Sequence, residues 1–148
     1  MTLPSRPRPV GLAIDTSAIM AILRSETTAE RVEDALRASD APVIAAPTLL
    51  ELSIVAEAKL HAVDGVGEAD AARAVLDAAD ALTFPVDEHL VDIACDAWRR
   101  FGKRNHRASL DFGDCFSYAL AHHLEVPLLC VGGDFEMTDV EVVDVTAG

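Results

Sequence analysis

The chain has 148 residues, 51% of them hydrophobic and 25% charged, with 12 lysines and arginines against 25 acids. That length suits one compact core and leaves no room for a second domain. The formal charge of −13 repels polyanions from the surface as a whole, so a nucleic-acid role requires a local reversal of the field.

Residues 1–9, rich in proline and arginine, read as a flexible extension, and 10–148 as the folded unit. The start lacks the apolar stretch of a secretory signal, and no apolar run approaches the roughly 20 residues that span a bilayer, so a cytoplasmic protein is expected. Cys95, Cys115 and Cys130 lie in apolar runs with no CxxC spacing, which predicts buried thiols in a reducing compartment.

The apolar run 10–14 suits a strand buried on both faces. It ends in Asp15-Thr16-Ser17, where Thr16 or Ser17 can cap a helix read over 17–26. Val32, Ala35 and Leu36 recur at helical spacing and predict a second helix over 28–38. Pro42 resets the chain before a short strand at 43–45, and Pro47 takes a favoured first-turn position in a mostly apolar helix over 47–60. A turn at 65–68, an Ala-rich helix over 69–82 and a brief strand at 82–86 follow. The remainder reads as a helix over 87–101 stopped by Gly102, a basic loop, a helix over 111–124, a buried strand at 127–131 and a last short strand at 140–143. Strand and helix alternate, which predicts an α/β fold with a parallel sheet of about four to five strands flanked by helices.

Asp15 and Asp134 each follow a strand-like run, and ligands of open parallel sheets collect beyond the carboxyl ends of the strands. Each aspartate also suits a helix cap, but Thr16 and Ser17 offer capping hydroxyls that leave the Asp15 carboxylate for other work. Glu51 has Pro47, Ile54, Val55 and Ala58 as helical neighbours, an apolar face where a carboxylate needs a cation or donors. An ion pair with a lysine or arginine is the alternative, but lysine occurs only at 59 and 103 and most arginines fall in segments that read as exposed, which favours a metal or catalytic role. Asp111 suits an N-cap with Asp114 at N3. Asp114 shares a polar, partly accessible face with Ser117 and Tyr118, which makes it the better site candidate. Clustered carboxylates select hard cations such as calcium, magnesium or manganese. The five histidines form no HExxH pattern, the cysteines show no nucleophile signature, and there is no P-loop.

The segments IDTSAIMAILRSE, PTLLELS, LDFGDCFSYALA and PLLCVGGDFEMTDV, in this order within residues 10–145, resemble the successive motifs of PIN-domain ribonucleases, specifically the VapC-type toxins of bacterial toxin–antitoxin pairs. The resemblance implies a PIN-like three-layer fold and an acidic quartet of Asp15, Glu51, Asp114 and Asp134 that is both catalytic and metal-binding. It implies one or two Mg2+ ions, with Mn2+ as a substitute, and Thr16, Ser17 and Asp111 in support. Asp111 stands where many relatives have Asn, and Asp139 is an alternative fourth acid. The implied activity is endonucleolytic RNA cleavage; the implied partners are a cognate VapB-type antitoxin and a second copy of the chain in a homodimer.

Residues 98–107 carry Arg99, Arg100, Lys103, Arg104 and Arg107, the local reversal of charge that RNA phosphates require. The same cations complement the negative end of the preceding helix. Two other classes compete. A Mg-binding phosphoryl-transfer or receiver-like domain needs a second Asp where Ser17 stands, or a lysine after a late strand. A non-enzymatic interaction module leaves the quartet unexplained.

Overall fold

The structure, a computed structural model, describes residues 11–60 and 67–146. The expected extension at 1–9 and the first half of the turn at 65–68 lie outside the described residues. The elements run β1 (Gly11–Ile14), α1 (Thr16–Leu23), α2 (Ala29–Ala38), β2 (Ala41–Ala45), α3 (Ala46–Lys59), α4 (Glu68–Ala78), β3 (Leu82–Phe84), α5 (Glu88–Phe101), α6 (Phe112–Leu124) and β4 (Leu128–Leu129), then a short 3-10 helix at Phe135–Met137. Among the described residues no helix is long and apolar enough to cross a membrane.

The four strands form one parallel sheet in the order β3-β2-β1-β4. Period-two alternation divides its side chains between two cores. Ala13, Val43 and Ala45 face a cluster built with Leu90, Ala97, Leu110 and Leu120 of the α5 and α6 side. Leu12, Ile14 and Ile44 face Ile19, Val32, Leu52 and Leu76 from α1 to α4. The result is the three-layer α/β/α arrangement with a sheet of four strands, within the expected range. The chain leaves β1 toward β2 on one side and returns to β4 on the other, so the switch point lies between β1 and β4, with the carboxyl ends of all strands at one edge.

Local chemistry sets the boundaries. Asp87 accepts a hydrogen bond from the Leu90 N–H at 3.0 Å and starts α5. Ser25 and Asp80 adopt left-handed backbone angles, φ 52° and 55°, which end the helices before 26 and 82, earlier than the periodicity predicts. Pro42 does not precede the second strand but lies within it, paired with Leu12. It stands one residue before β3 joins the ladder at Val43, a position where a missing N–H is tolerated. The expected strand at 140–143 is reduced to a single bridge between Leu128 and Val142, and the one at 127–131 to Leu128–Leu129. Among the cysteines, Cys115 and Cys130 are buried as expected, whereas Cys95 is exposed.

Candidate active site

β1 delivers Asp15 to the carboxyl edge of the sheet, where its main chain is fixed by an N–H bond to the Leu129 carbonyl at 3.0 Å. The side chain is 4% exposed and accepts three hydrogen bonds. Ser17 donates its N–H at 3.1 Å and its hydroxyl at 2.6 Å to Oδ2, and Ser117 of α6 donates its hydroxyl to Oδ1 at 2.6 Å. Asp15 is therefore the N-cap of α1, and the expectation that Thr16 or Ser17 caps is corrected. The extended backbone of Asp15 lets its carboxylate reach Ser17, while Thr16 and Ser17 are already inside the helix. Ser17 Oγ also accepts the Val131 N–H at 2.9 Å, which ties α1 to the chain leaving β4 across the switch point.

Thr16 turns to the other side and donates its hydroxyl to Oε1 of Glu51 at 2.6 Å. Glu51 is half-buried near the start of α3, but the face expected to bury it is not the core face: Ile54 is 59% exposed and Ala58 is exposed too. The helix instead buries Thr48, Leu49, Leu52 and Ala56. Glu51 is held by α6, whose Gly113 leaves the space its carboxylate occupies; an ideal β-carbon on Gly113 would stand 1.8 Å from Oε2. Among the described residues Glu51 makes no ion pair.

Asp111 and Asp114 form a reciprocal capping box at the start of α6. Asp111 accepts the Asp114 N–H at 2.9 Å, and Asp114 accepts the Asp111 N–H at 3.0 Å. The face that Asp114 shares with Ser117 and Tyr118 is not accessible, since both neighbours are buried; Ser117 uses that burial to hold Asp15.

Asp15, Glu51, Asp111 and Asp114, with Thr16 and Ser17, line one pocket of about 340 Å³. Burial raises the Glu51 pKa, the Thr16 hydrogen bond opposes it, and the charges of Asp15 and Asp111 raise it further. Burial, followed by the charges of Asp15 and Asp111, pushes Asp114 up to about 8 against the hydrogen bond from the Asp111 N–H. Crowded oxygens that resist ionisation are the donor chemistry a hard cation restores to its charged form. Among the described residues no three His, Cys, Asp or Glu side chains are already gathered for one ion, so the carboxylates would have to close on it. Burial pushes the thiols of Cys115 and Cys130 up to about 11 and about 12, which removes both as nucleophiles at neutral pH.

Asp134 stands apart from that pocket's lining, exposed in the turn before the 3-10 helix. Asp139 accepts the Tyr118 hydroxyl at 2.5 Å and an Arg100 N–H at 3.4 Å, so its carboxylate fastens the C-terminal segment to α5 and α6. Arg100 also pairs with Asp96 and is not available as a free cation. Arg99 and Lys103 line a second groove, between α5 and α6, and Arg104 and Arg107 are exposed in the loop. Four contributors escaped the sequence reading: Ser117 as a donor to Asp15, Gly113 as the space for Glu51, and Arg24 and Lys59 as cations on the acidic pocket's wall. Only the glycine carried a signal, an unbranched residue one position before an acid in a helix's first turn.

The PIN domain family matches residues 12–141. Ribonuclease VapC of Mycolicibacterium smegmatis is 41% identical over 132 residues, covering 89% of this chain and 99% of that relative. The crystal structure of Mycobacterium tuberculosis VapC20, a sarcin-ricin loop cleaving toxin, aligns with a TM-score of 0.70 at 18% identity, over 89% of this chain and 98% of the other. VapBC-5 from M. tuberculosis, a member of the VapBC family of toxin–antitoxin systems, aligns with a TM-score of 0.59 at 23% identity, over 88% and 92% of the two chains.

Proposed function

This chain belongs to the VapC ribonucleases of the PIN-domain family, and from that premise we propose that it is a metal-dependent endoribonuclease toxin that cuts RNA in the pocket lined by Asp15, Glu51 and Asp114. The observation that carries the reading is the convergence on one pocket of acids from three separate segments, the end of β1, the start of α3 and the start of α6. Two of them have pKa values raised by burial and by their neighbours' charges.

Glu51 and Asp114 would hold Mg2+ or Mn2+, with Asp15 contributing from behind them. Bound there, the cation would acidify an attacking water and offset the charge gathering on the phosphodiester. The chain's own residues do the positioning. Ser17 and Ser117 fix both oxygens of Asp15, Thr16 and Gly113 fix Glu51, and the capping box fixes Asp114. Arg24 and Lys59 on the same wall suit the non-bridging phosphate oxygens of an incoming strand. Asp134, in the turn after β4 and outside that pocket's lining, is the proposed fourth acid.

The partner in this reading is a cognate VapB-type antitoxin, supported by the likeness to a VapBC toxin–antitoxin member. A basic segment of such a partner suits the chain's charge of −13. The homodimer rests on the family resemblance. Sequencing of RNA 5′ ends in cells briefly expressing the chain tests the activity: new ends at a defined site, absent with Asp114→Asn, support it, and identical end profiles for the two overturn it.

A further inference from the structure

Two of the histidines among the described residues are already engaged. His106 accepts the Ala108 N–H on Nδ1 at 2.9 Å and sets its ring edge-on against Phe101, and His122 stacks on Tyr118 with centroids 5.7 Å apart. His89, in the first turn of α5, and His123, in the last turn of α6, instead face each other, with ring centroids 5.2 Å apart and planes at 69°. Both are exposed. Among the described residues no hydrogen bond or ion pair uses either ring.

That spacing is the one a shared metal ion imposes. With metal–nitrogen bonds of about 2.0–2.1 Å and a tetrahedral angle between them, two imidazoles on one ion place their centroids about 5 Å apart. The rings stand edge to face, and because both are exposed, a turn about the side-chain torsions brings one nitrogen of each to a common point. Phe84, the last residue of β3, meets His123 edge-on at 5.8 Å and packs one side of that ring.

The surroundings favour a cation. Glu88 and Asp92 flank His89 in the sequence and are exposed, in a chain of net charge −13. Among the described residues no third ligating side chain is gathered with the pair, so the remaining coordination positions fall to water. Nitrogen donors then choose the occupant: imidazole suits Zn2+, Ni2+ and Cu2+, whereas Mg2+ and Mn2+ take oxygen ligands.

We propose that His89 and His123 form a two-histidine site for a divalent transition metal of the zinc, nickel and copper group, which clips the start of α5 to the end of α6. His123 lies nine residues after Asp114, about 13 Å along α6, so the pair is separate from the acidic pocket. The two sites divide cations by donor chemistry, oxygen at one end of α6 and nitrogen at the other. The inference stands whether or not the acidic pocket cuts RNA.

The test titrates Zn2+ into the full-length protein, prepared without a histidine tag and held in excess Mg2+, with calorimetry for stoichiometry and proton NMR for the histidine rings. One ion per chain should bind, shifting the ring resonances of His89 and His123 and leaving those of His106 and His122 in place. His89→Gln and His123→Gln should each weaken binding about a hundredfold, the order gained by joining two tethered contacts on one target. His122→Gln, at the adjacent position, should bind as the wild type does. All three substitutions fall at exposed positions, and melting in EDTA checks that each variant is folded. Saturating Zn2+ should raise the melting temperature of the wild type and of Asp114→Asn by several degrees, and that of neither His89→Gln nor His123→Gln. Undiminished binding in the doubly substituted His89→Gln, His123→Gln protein overturns the site and gives the ion to acids or thiols. Loss of binding in Asp114→Asn also overturns it, because the ion then sits in the acidic pocket. Half an ion per chain means a metal shared between two copies, which overturns the clip within one.

Discussion

Gly113 and Glu51 share one volume: the carboxylate of Glu51 occupies the place a β-carbon on residue 113 would take, 1.8 Å from Oε2. A residue of α6 thereby sets the position of an acid on α3 without bonding to it. Glycine in a helix ordinarily costs about 0.5–1 kcal/mol relative to alanine, so its presence here is explained by the site rather than by the helix.

Gly113→Ala should therefore separate stability from activity. The new methyl pushes aside the end of a flexible side chain rather than backbone, so the melting temperature should hold or rise. RNA cleavage should fall about a hundredfold, the order expected for an acid displaced by about 1 Å. Circular dichroism melting beside a cleavage assay checks this; full activity in the variant would show that Glu51 needs no fixed position.

Ser117→Ala addresses the buried side of Asp15. Ser117 is 1% exposed and gives Oδ1 its hydrogen bond, so its loss leaves a buried carboxylate short of one donor. The expected cost is about 1.5–3 kcal/mol, read as a lower urea midpoint with unchanged slope, together with reduced cleavage. An unchanged midpoint would mean that water replaces the hydroxyl at no cost.

Much of this arrangement was legible from the chain. The alternation of elements and the Asp111 cap follow from local patterns, because capping and periodicity act within a few residues, whereas the gathering of Asp15, Glu51 and Asp114 is implied by the resemblance of the four motifs to PIN-domain ribonucleases. The cap of α1 was misread because two hydroxyls follow the aspartate, and their identity does not say which residue turns extended. The burial of Ser117 and the exposure of Ile54 depend on how α3 and α6 pack against one another, and that packing has no one-dimensional signature. The strand at 140–143 fell short for a similar reason: its apolar composition suits a strand, but only Val142 meets Leu128.

Asp139 has a different fate from the acids of the pocket. Burial alone would raise its pKa, but the Tyr118 hydroxyl and then Arg100 outweigh it and hold the pKa below the ordinary value. A lowered carboxylate pKa stabilises the fold above the unfolded-state value, near 3.9, and the gain is lost as pH falls through the folded-state pKa. Asp139→Asn should thus melt below the wild type at neutral pH, by about 1 kcal/mol or less for so exposed a pair, and the gap should close below about pH 4. RNA cleavage should persist. Lost cleavage at an unchanged melting temperature would return Asp139 to the site as its fourth acid.

Whether the acidic pocket holds a cation is read from the melting temperature near pH 8, in EDTA and then in Mn2+, for the wild type and Asp114→Asn. Without metal, the folded protein holds the Asp114 proton up to about pH 8, while the unfolded chain releases it near its ordinary value. The unfolded state then binds fewer protons across that interval, so stability falls as pH rises through it. The uncharged variant escapes that penalty and should melt in EDTA at or above the wild type. Mn2+ binds the folded carboxylates and scarcely the unfolded chain, so it should raise the wild-type melting temperature by several degrees at concentrations well above its dissociation constant, and should raise that of Asp114→Asn by little. A wild type indifferent to Mn2+, or a variant that gains as much as the wild type, would contradict the account.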